Sequence, residues 1–91
     1  MITPGQIRSL KTALRNIVQK DDGLCYIAGK FVQREIASLH ELTTADWICI
    51  RDQAYPHHRQ DDWTVSREFL RQAADYFDEF LVNVKGQQKL F

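Results

Sequence analysis

The side chains with the most chemical potential lie in one short polar stretch, residues 57–62, where two adjacent histidines precede two adjacent aspartates. Imidazole and carboxylate groups bind zinc and other transition metals. However, adjacent histidines on a loop seldom point at one ion, and an acid–base pair needs a pocket around it. The stretch is therefore predicted to be a polar loop with neither a metal site nor a catalytic site.

Motifs for other kinds of catalysis are missing from the sequence. It has no glycine-rich phosphate loop, no serine or cysteine nucleophile motif and no carboxylates in a catalytic pattern. With 91 residues, the chain is also much shorter than most large enzyme folds, which need roughly 200 residues. We therefore expect a protein that is not an enzyme and that uses no cofactor and no small-molecule substrate.

The two cysteines, Cys25 and Cys49, lie in apolar segments and far from any spacing typical of zinc or redox motifs. This placement predicts two buried, reduced thiols, as in a cytoplasmic protein; the alternative is one disulfide bond between them. Residues 1–20 lack the apolar run of a signal peptide, and no segment approaches the roughly 20 apolar residues of a membrane span. We expect a cytoplasmic location and no membrane partner.

The charge is balanced in sum, with 12 basic and 12 acidic residues, but it is uneven along the chain. The first 20 residues hold four cations and no acid, whereas residues 41–62 hold five acids and two arginines. Arg8, Lys11 and Arg15 are spaced to share one side of a helix. Such a stripe can contact nucleic-acid phosphates. The alternative is an ordinary solvated face that is balanced by acids elsewhere in the fold.

The first helix is predicted to begin after Thr3, with Pro4 in its first position and Gln6 completing a capping box. Apolar residues then recur at helical spacing up to Val18, and the Asp-Asp-Gly at 21–23 is predicted to end the helix. Residues 24–36 fit a second helix, although the sequence around Gly29 is also compatible with a small β-hairpin.

A third helix is predicted from Thr43 or Thr44 to Pro56, with Asp46 near its positive end. Its apolar face would comprise Trp47, Ile48, Ile50 and Ala54. A fourth helix, from Thr64 or Ser66 to about Val84, shows the clearest amphipathic pattern. Its predicted core face comprises Val65, Phe69, Leu70, Ala73, Phe77, Phe80, Leu81 and Val84.

Aromatic side chains are abundant and could stack on nucleic-acid bases, but in a small domain they more often fill the core. Trp63 is expected to fold back onto this core, and Tyr76 to lie at its edge. The fold class is therefore predicted to be all-α. Residues 1–85 would form a compact bundle of three to four helices and residues 86–91 a short flexible tail; the alternative is an α+β fold with a hairpin at residues 24–36.

The sequence Gln87-Gln88-Lys89-Leu90-Phe91 follows the last helical pattern. Its Gln87, Leu90 and Phe91 resemble the Q-x-x-L-F peptide by which replication and repair proteins dock on the bacterial sliding clamp. Gln88 and Lys89 depart from that pattern, in which the second position is usually apolar and the third is often serine or aspartate. The resemblance implies that Gln87, Leu90 and Phe91 bind a partner. The alternative is that Leu90 and Phe91 pack on the bundle.

Residues 2–55 also resemble small helical modules of phage recombination and regulatory proteins, among them the phage Mu GemA-like regulators. The resemblance consists of the opening Ile-Thr-Pro-Gly-Gln-Ile and of Phe31, Ser38, the Glu-Leu-Thr at 41–43 and Ala45. It implies an accessory role in the DNA metabolism of a phage or mobile element. The expected function is a non-enzymatic adaptor or modulator that docks on the clamp or inhibits another host DNA-processing protein. The alternatives are a DNA-binding module that uses Arg8, Lys11 and Arg15, and a homodimeric structural protein.

Overall fold

A computed structural model describes residues 1–83 of the chain. These residues form four α-helices and two short 3₁₀ turns, with no strand among them. The helices are α1 (Pro4–Leu14), α2 (Asp21–Val32), α3 (Thr44–Ala54) and α4 (Arg67–Asn83); the 3₁₀ turns are Leu39–Glu41 and His58–Gln60. The all-α prediction is confirmed, and residues 24–36 contain a helix rather than a hairpin.

Helix starts follow the predicted side-chain caps. The Thr3 hydroxyl accepts the Gln6 N–H at 3.2 Å, and the Gln6 side chain accepts the Thr3 N–H at 2.9 Å. Thr43 and Asp46 form the same reciprocal pair at the start of α3. Each pair satisfies two backbone donors that a helix N-terminus leaves open.

The prediction for the end of the first helix was wrong. Helix α1 ends at Leu14, whose carbonyl accepts the N–H groups of both Ile17 and Val18 at 2.9 Å. The Asp-Asp-Gly at 21–23 starts α2, because the two carboxylates favour the positive end of a helix. Residues 15–20 therefore form a connection between α1 and α2.

Helix α2 is the central element and packs against both α3 and α4. The rings of Phe31 and Phe69 stack with their centroids 4.7 Å apart, and Tyr76 meets Phe31 edge-on at 5.2 Å. Phe69 is only 1% exposed. Burial of this aromatic cluster contributes to stability through apolar area and ring packing.

Two side chains that were predicted to be buried face solvent instead. Ile48 on α3 is 40% exposed and Trp63 is 52% exposed. Ile48 lies one position after the buried Trp47, so the helix turns it about 100° away from the core. Trp63 packs edge-on against Tyr55 with centroids 5.3 Å apart, at the rim of the bundle. The other predicted core aromatics are buried or, for Phe77, half-buried.

Candidate partner-binding surfaces

The basic stripe on α1 exists as a surface feature. Arg8, Lys11 and Arg15 are all exposed. Arg15 follows the last residue of α1 in a helical backbone conformation, with φ −63° and ψ −24°, so it keeps the register of the stripe. Lys11 Nζ lies 3.4 Å from Asp21 Oδ1 at the start of α2. One of the three positive charges is therefore offset locally.

A groove of about 520 Å³ adjoins the end of this stripe, between the α1–α2 connection and the C-terminal half of α4. We call it the connector groove. Its apolar surface comes largely from Ile17, Phe77 and Leu81, and its rim carries the cations Arg15 and Lys20. The complete lining is Arg15, Asn16, Ile17, Val18, Gln19, Lys20, Asp22, Phe77, Phe80 and Leu81.

A second groove, of about 650 Å³, lies beside the connector groove along α2, and both are lined by Asp22 and Phe80. Tyr26 donates its hydroxyl to Glu79 Oε1 at 3.1 Å, and Lys30 Nζ lies 3.0 Å from the same oxygen. These contacts lower the pKa of Glu79 and raise the pKa of Lys30. The charges of Lys30 and Glu79 offset each other, and the lining also carries Asp22, Arg34 and Glu35, so both signs of charge are present in this groove. Cys25, Gln33, Arg34 and Ile36 also line it.

The two thiols differ in environment. Cys25 is buried, and its burial raises the pKa of the thiol above the usual value. Cys49 is exposed, which contradicts the predicted burial of both cysteines. Cys49 lies two positions after Trp47 on α3 and therefore points away from the core face. Neither cysteine forms a disulfide bond.

The polar loop at 57–62 is held by hydrogen bonds within the chain. His58 Nε2 lies 2.9 Å from Asp52 Oδ1, and this contact lowers the pKa of Asp52. Asp62 Oδ1 accepts the Thr64 hydroxyl at 2.6 Å and the Thr64 N–H at 3.1 Å, which lowers the pKa of Asp62. His58 and Asp62 thus engage different partners, Asp52 and Thr64. Across residues 1–83, no group of three or more histidines, cysteines, aspartates and glutamates is placed to hold a metal ion.

The predicted partner-binding residues Gln87, Leu90 and Phe91 lie outside the described residues. Helix α4 precedes them in the sequence, and its last described residue, Asn83, is exposed. In the described part of the chain, none of the helices combines the length and apolar character needed to cross a membrane.

No protein-family model, curated protein or solved structure matches the chain.

Sequence reasoning did not identify the triad of Tyr26, Lys30 and Glu79. The four-residue spacing of Tyr26 and Lys30 on α2 places them on one helix face, which was a usable signal. Glu79 lies 53 residues from Tyr26, and its position depends on how α4 crosses α2. The connector groove was missed for a related reason, since it depends on α1 ending at Leu14.

Proposed function

We propose that this protein is a non-enzymatic adaptor or modulator of bacterial DNA replication, recombination or repair. In this proposal the helical bundle is a scaffold, and Gln87, Leu90 and Phe91 dock on the sliding clamp. The chain would belong to a phage or mobile element and would modulate the host clamp or another host DNA-processing protein. The observation that carries the proposal is the Q-x-x-L-F sequence four residues beyond Asn83.

The arrangement of α4 supports this reading. Phe69, Ala73 and Phe80 anchor the helix in the core, so the helix provides a fixed base for whatever follows Asn83. A short peptide with two adjacent apolar residues can insert these side chains into an apolar pocket of its partner. A glutamine amide of the same peptide can form hydrogen bonds at the edge of that pocket. A rigid scaffold needs no rearrangement of its own for such docking.

Calorimetry with purified bacterial clamp tests the proposal. We expect the full chain to bind, and the double variant Leu90→Ala/Phe91→Ala to bind at least tenfold more weakly, because the apolar anchors are lost. Lys89→Ala is the matched control in the same segment and should stay within about threefold, since the charge of Lys89 plays no part in the proposed contact. Clamp binding that is absent, or equal in the full chain and a chain ending at Gly86, would refute the proposal.

DNA binding is the second candidate, favoured by the exposure of Arg8, Lys11 and Arg15 on one side of the molecule. Contacts with phosphates would make the affinity for DNA fall steeply with salt. The pairing of Lys11 with Asp21 weakens this candidate. Charge reversal at Arg8 and Lys11 separates the two candidates, because it should abolish DNA binding and leave clamp binding intact.

A further inference from the structure

The connector groove combines an apolar floor with a cationic rim. Ile17 and Phe77 pack against the core but are only partly buried, and Leu81 is likewise half-buried at the C-terminal end of α4. Apolar surface that remains open beside a fully formed core is suited to an apolar side chain of a ligand.

The rim determines the charge of a matching ligand. Arg15 and Lys20 line the groove and are exposed. The groove also contains one carboxylate, Asp22, whose Oδ1 accepts the Gly23 N–H at 2.8 Å in the first turn of α2. That carboxylate is thus held by the helix N-terminus, which favours negative charge. Arg15 and Lys20 are therefore the groups of the groove that can attract an anionic ligand.

The side chains that follow α4 do not supply that anion. Residues 84–91 include Lys85 and Lys89 and contain no acid. They would add positive charge next to Arg15 and Lys20, so charge complementarity disfavours this segment as the occupant. An acidic segment of another protein matches both the rim and the apolar floor.

A nucleic acid matches the rim alone. Bases bind to proteins mainly by stacking on open aromatic faces. Within residues 1–83, the aromatic rings that line the groove are those of Phe77 and Phe80, which stack on each other with centroids 6.1 Å apart. Ile17 and Leu81 are aliphatic and provide no stacking platform. The floor therefore favours a peptide with an aliphatic or aromatic anchor.

We propose that the connector groove binds an acidic peptide segment of a partner protein. An apolar side chain of the peptide contacts Ile17, Phe77 and Leu81, and its carboxylates face Arg15 and Lys20. This site is separate from the clamp-binding residues proposed above and gives the adaptor a second, independent partner.

Fluorescence anisotropy with defined probes tests this site on the full chain. The main probe is a labelled eight-residue peptide of alternating glutamate and leucine, and the comparison probes are a glutamate–serine peptide and a single-stranded oligothymidylate. We expect the glutamate–leucine peptide to bind at least tenfold more tightly than either comparison probe. Equal or tighter binding of the oligothymidylate would overturn the proposal in favour of a nucleic-acid surface.

Charge-reversal variants test the position of the site. Arg15→Glu/Lys20→Glu should weaken binding of the glutamate–leucine peptide at least tenfold, whereas the exposed control Arg67→Glu at the other end of α4 should stay within twofold. An unchanged affinity in the double variant would overturn the proposal. So would at least tenfold tighter peptide binding by a chain ending at Asn83, because the chain's own last residues would then be the occupant. Clamp binding is measured separately, so failure of either proposal is recognised on its own.

Discussion

At the scale of single residues, two glycines of α2 are required by close packing. A Cβ atom at Gly29 would lie 2.7 Å from the backbone oxygen of Arg34, where the chain turns back after the helix. A Cβ atom at Gly23 would lie 2.6 Å from Val18 Cγ2 and 3.2 Å from Phe77 Cε1. These glycines let the connections before and after α2 approach the helix closely, although glycine has a lower helix propensity than alanine.

We predict that Gly29→Ala lowers the free energy of unfolding by about 1–3 kcal/mol, because the backbone oxygen of Arg34 must move. Urea denaturation followed by circular dichroism measures this change. Gly5→Ala is the matched control, since the nearest atom to its added Cβ is the Thr3 hydroxyl oxygen at 3.9 Å. The control should be neutral or stabilising by up to about 1 kcal/mol. Equal losses in both variants would show that close packing at Gly29 is not the cause.

At the scale of elements, the segment between α2 and α3 is fixed by polar contacts. Arg34 Nη1 lies 2.6 Å from Asp46 Oδ2, and Arg34 Nη2 donates to the Glu41 carbonyl at 2.9 Å. Glu41 in turn accepts the N–H groups of Ala37 and Ser38, both at 2.8 Å. Asp46 thus both caps α3 and attaches it to the end of α2.

Asp46 should make stability depend on pH. Burial alone would raise the pKa of Asp46, but hydrogen bonds from the Thr43 N–H, the Arg34 guanidinium and the Thr43 hydroxyl outweigh it and lower the pKa. A carboxyl group whose pKa is lower in the folded state stabilises the fold above its unfolded pKa, and the contribution is lost as the pH falls through the folded value. Asp46→Asn should therefore cost about 1 kcal/mol at pH 7 and progressively less below about pH 4.

Urea titrations of the wild type and Asp46→Asn at several pH values measure that difference. Arg34→Gln tests the physical cause, because its effect at pH 7 should be smaller in the Asp46→Asn background than in the wild type. A pH-independent difference between the wild type and Asp46→Asn would contradict the prediction.

The sequence was most informative where local chemistry decides the structure. Thr3 and Thr43 mark helix starts because a capping hydroxyl acts on backbone groups only two or three residues away. The end of α1 could not be predicted in this way, since Ile17 and Val18 continue the helical spacing while lying in a connection. Their burial depends on α4, whose Phe77 contacts the same region.

Surface sites were predictable only where a single helix forms them, because the sequence does not show which distant elements pack together. The exposure of Arg8, Lys11 and Arg15 follows from helical spacing in one element. The nearby groove needs two elements that are far apart in sequence, α4 and the α1–α2 connection. Trp63 was misplaced because its position depends on the loop before α4, where its ring packs against Tyr55 and His58 at the surface.

At the scale of the whole molecule, one core joins all four helices. Buried residues of each helix belong to one apolar cluster: Ile7, Leu10, Ala13 and Leu14 of α1; Leu24, Ile27, Ala28 and Phe31 of α2; Trp47, Ile50 and Ala54 of α3; and Phe69 and Ala73 of α4. A domain of this size has a narrow stability margin, so we expect the loss of a whole helix to abolish cooperative folding.

We predict that a chain ending at Gly86 unfolds with the same free energy as the full chain, within about 0.5 kcal/mol, because the apolar cluster lies within residues 1–83. A chain ending at Ser66 should fail to fold cooperatively, since it lacks all of α4. Urea denaturation of both truncated chains provides the measurement. A loss of more than about 1 kcal/mol on truncation at Gly86 would indicate that the last five residues pack on the bundle.

The contrast between the two thiols has a practical consequence. Cys49 is open to reagents on the surface of α3, whereas Cys25 is buried and only 7% exposed in the lining of the second groove. The native protein should therefore take up one maleimide dye per chain, at Cys49, and a second only after unfolding. This gives a single attachment point for a fluorophore or spin label on a helix that lines neither groove, obtained without any substitution.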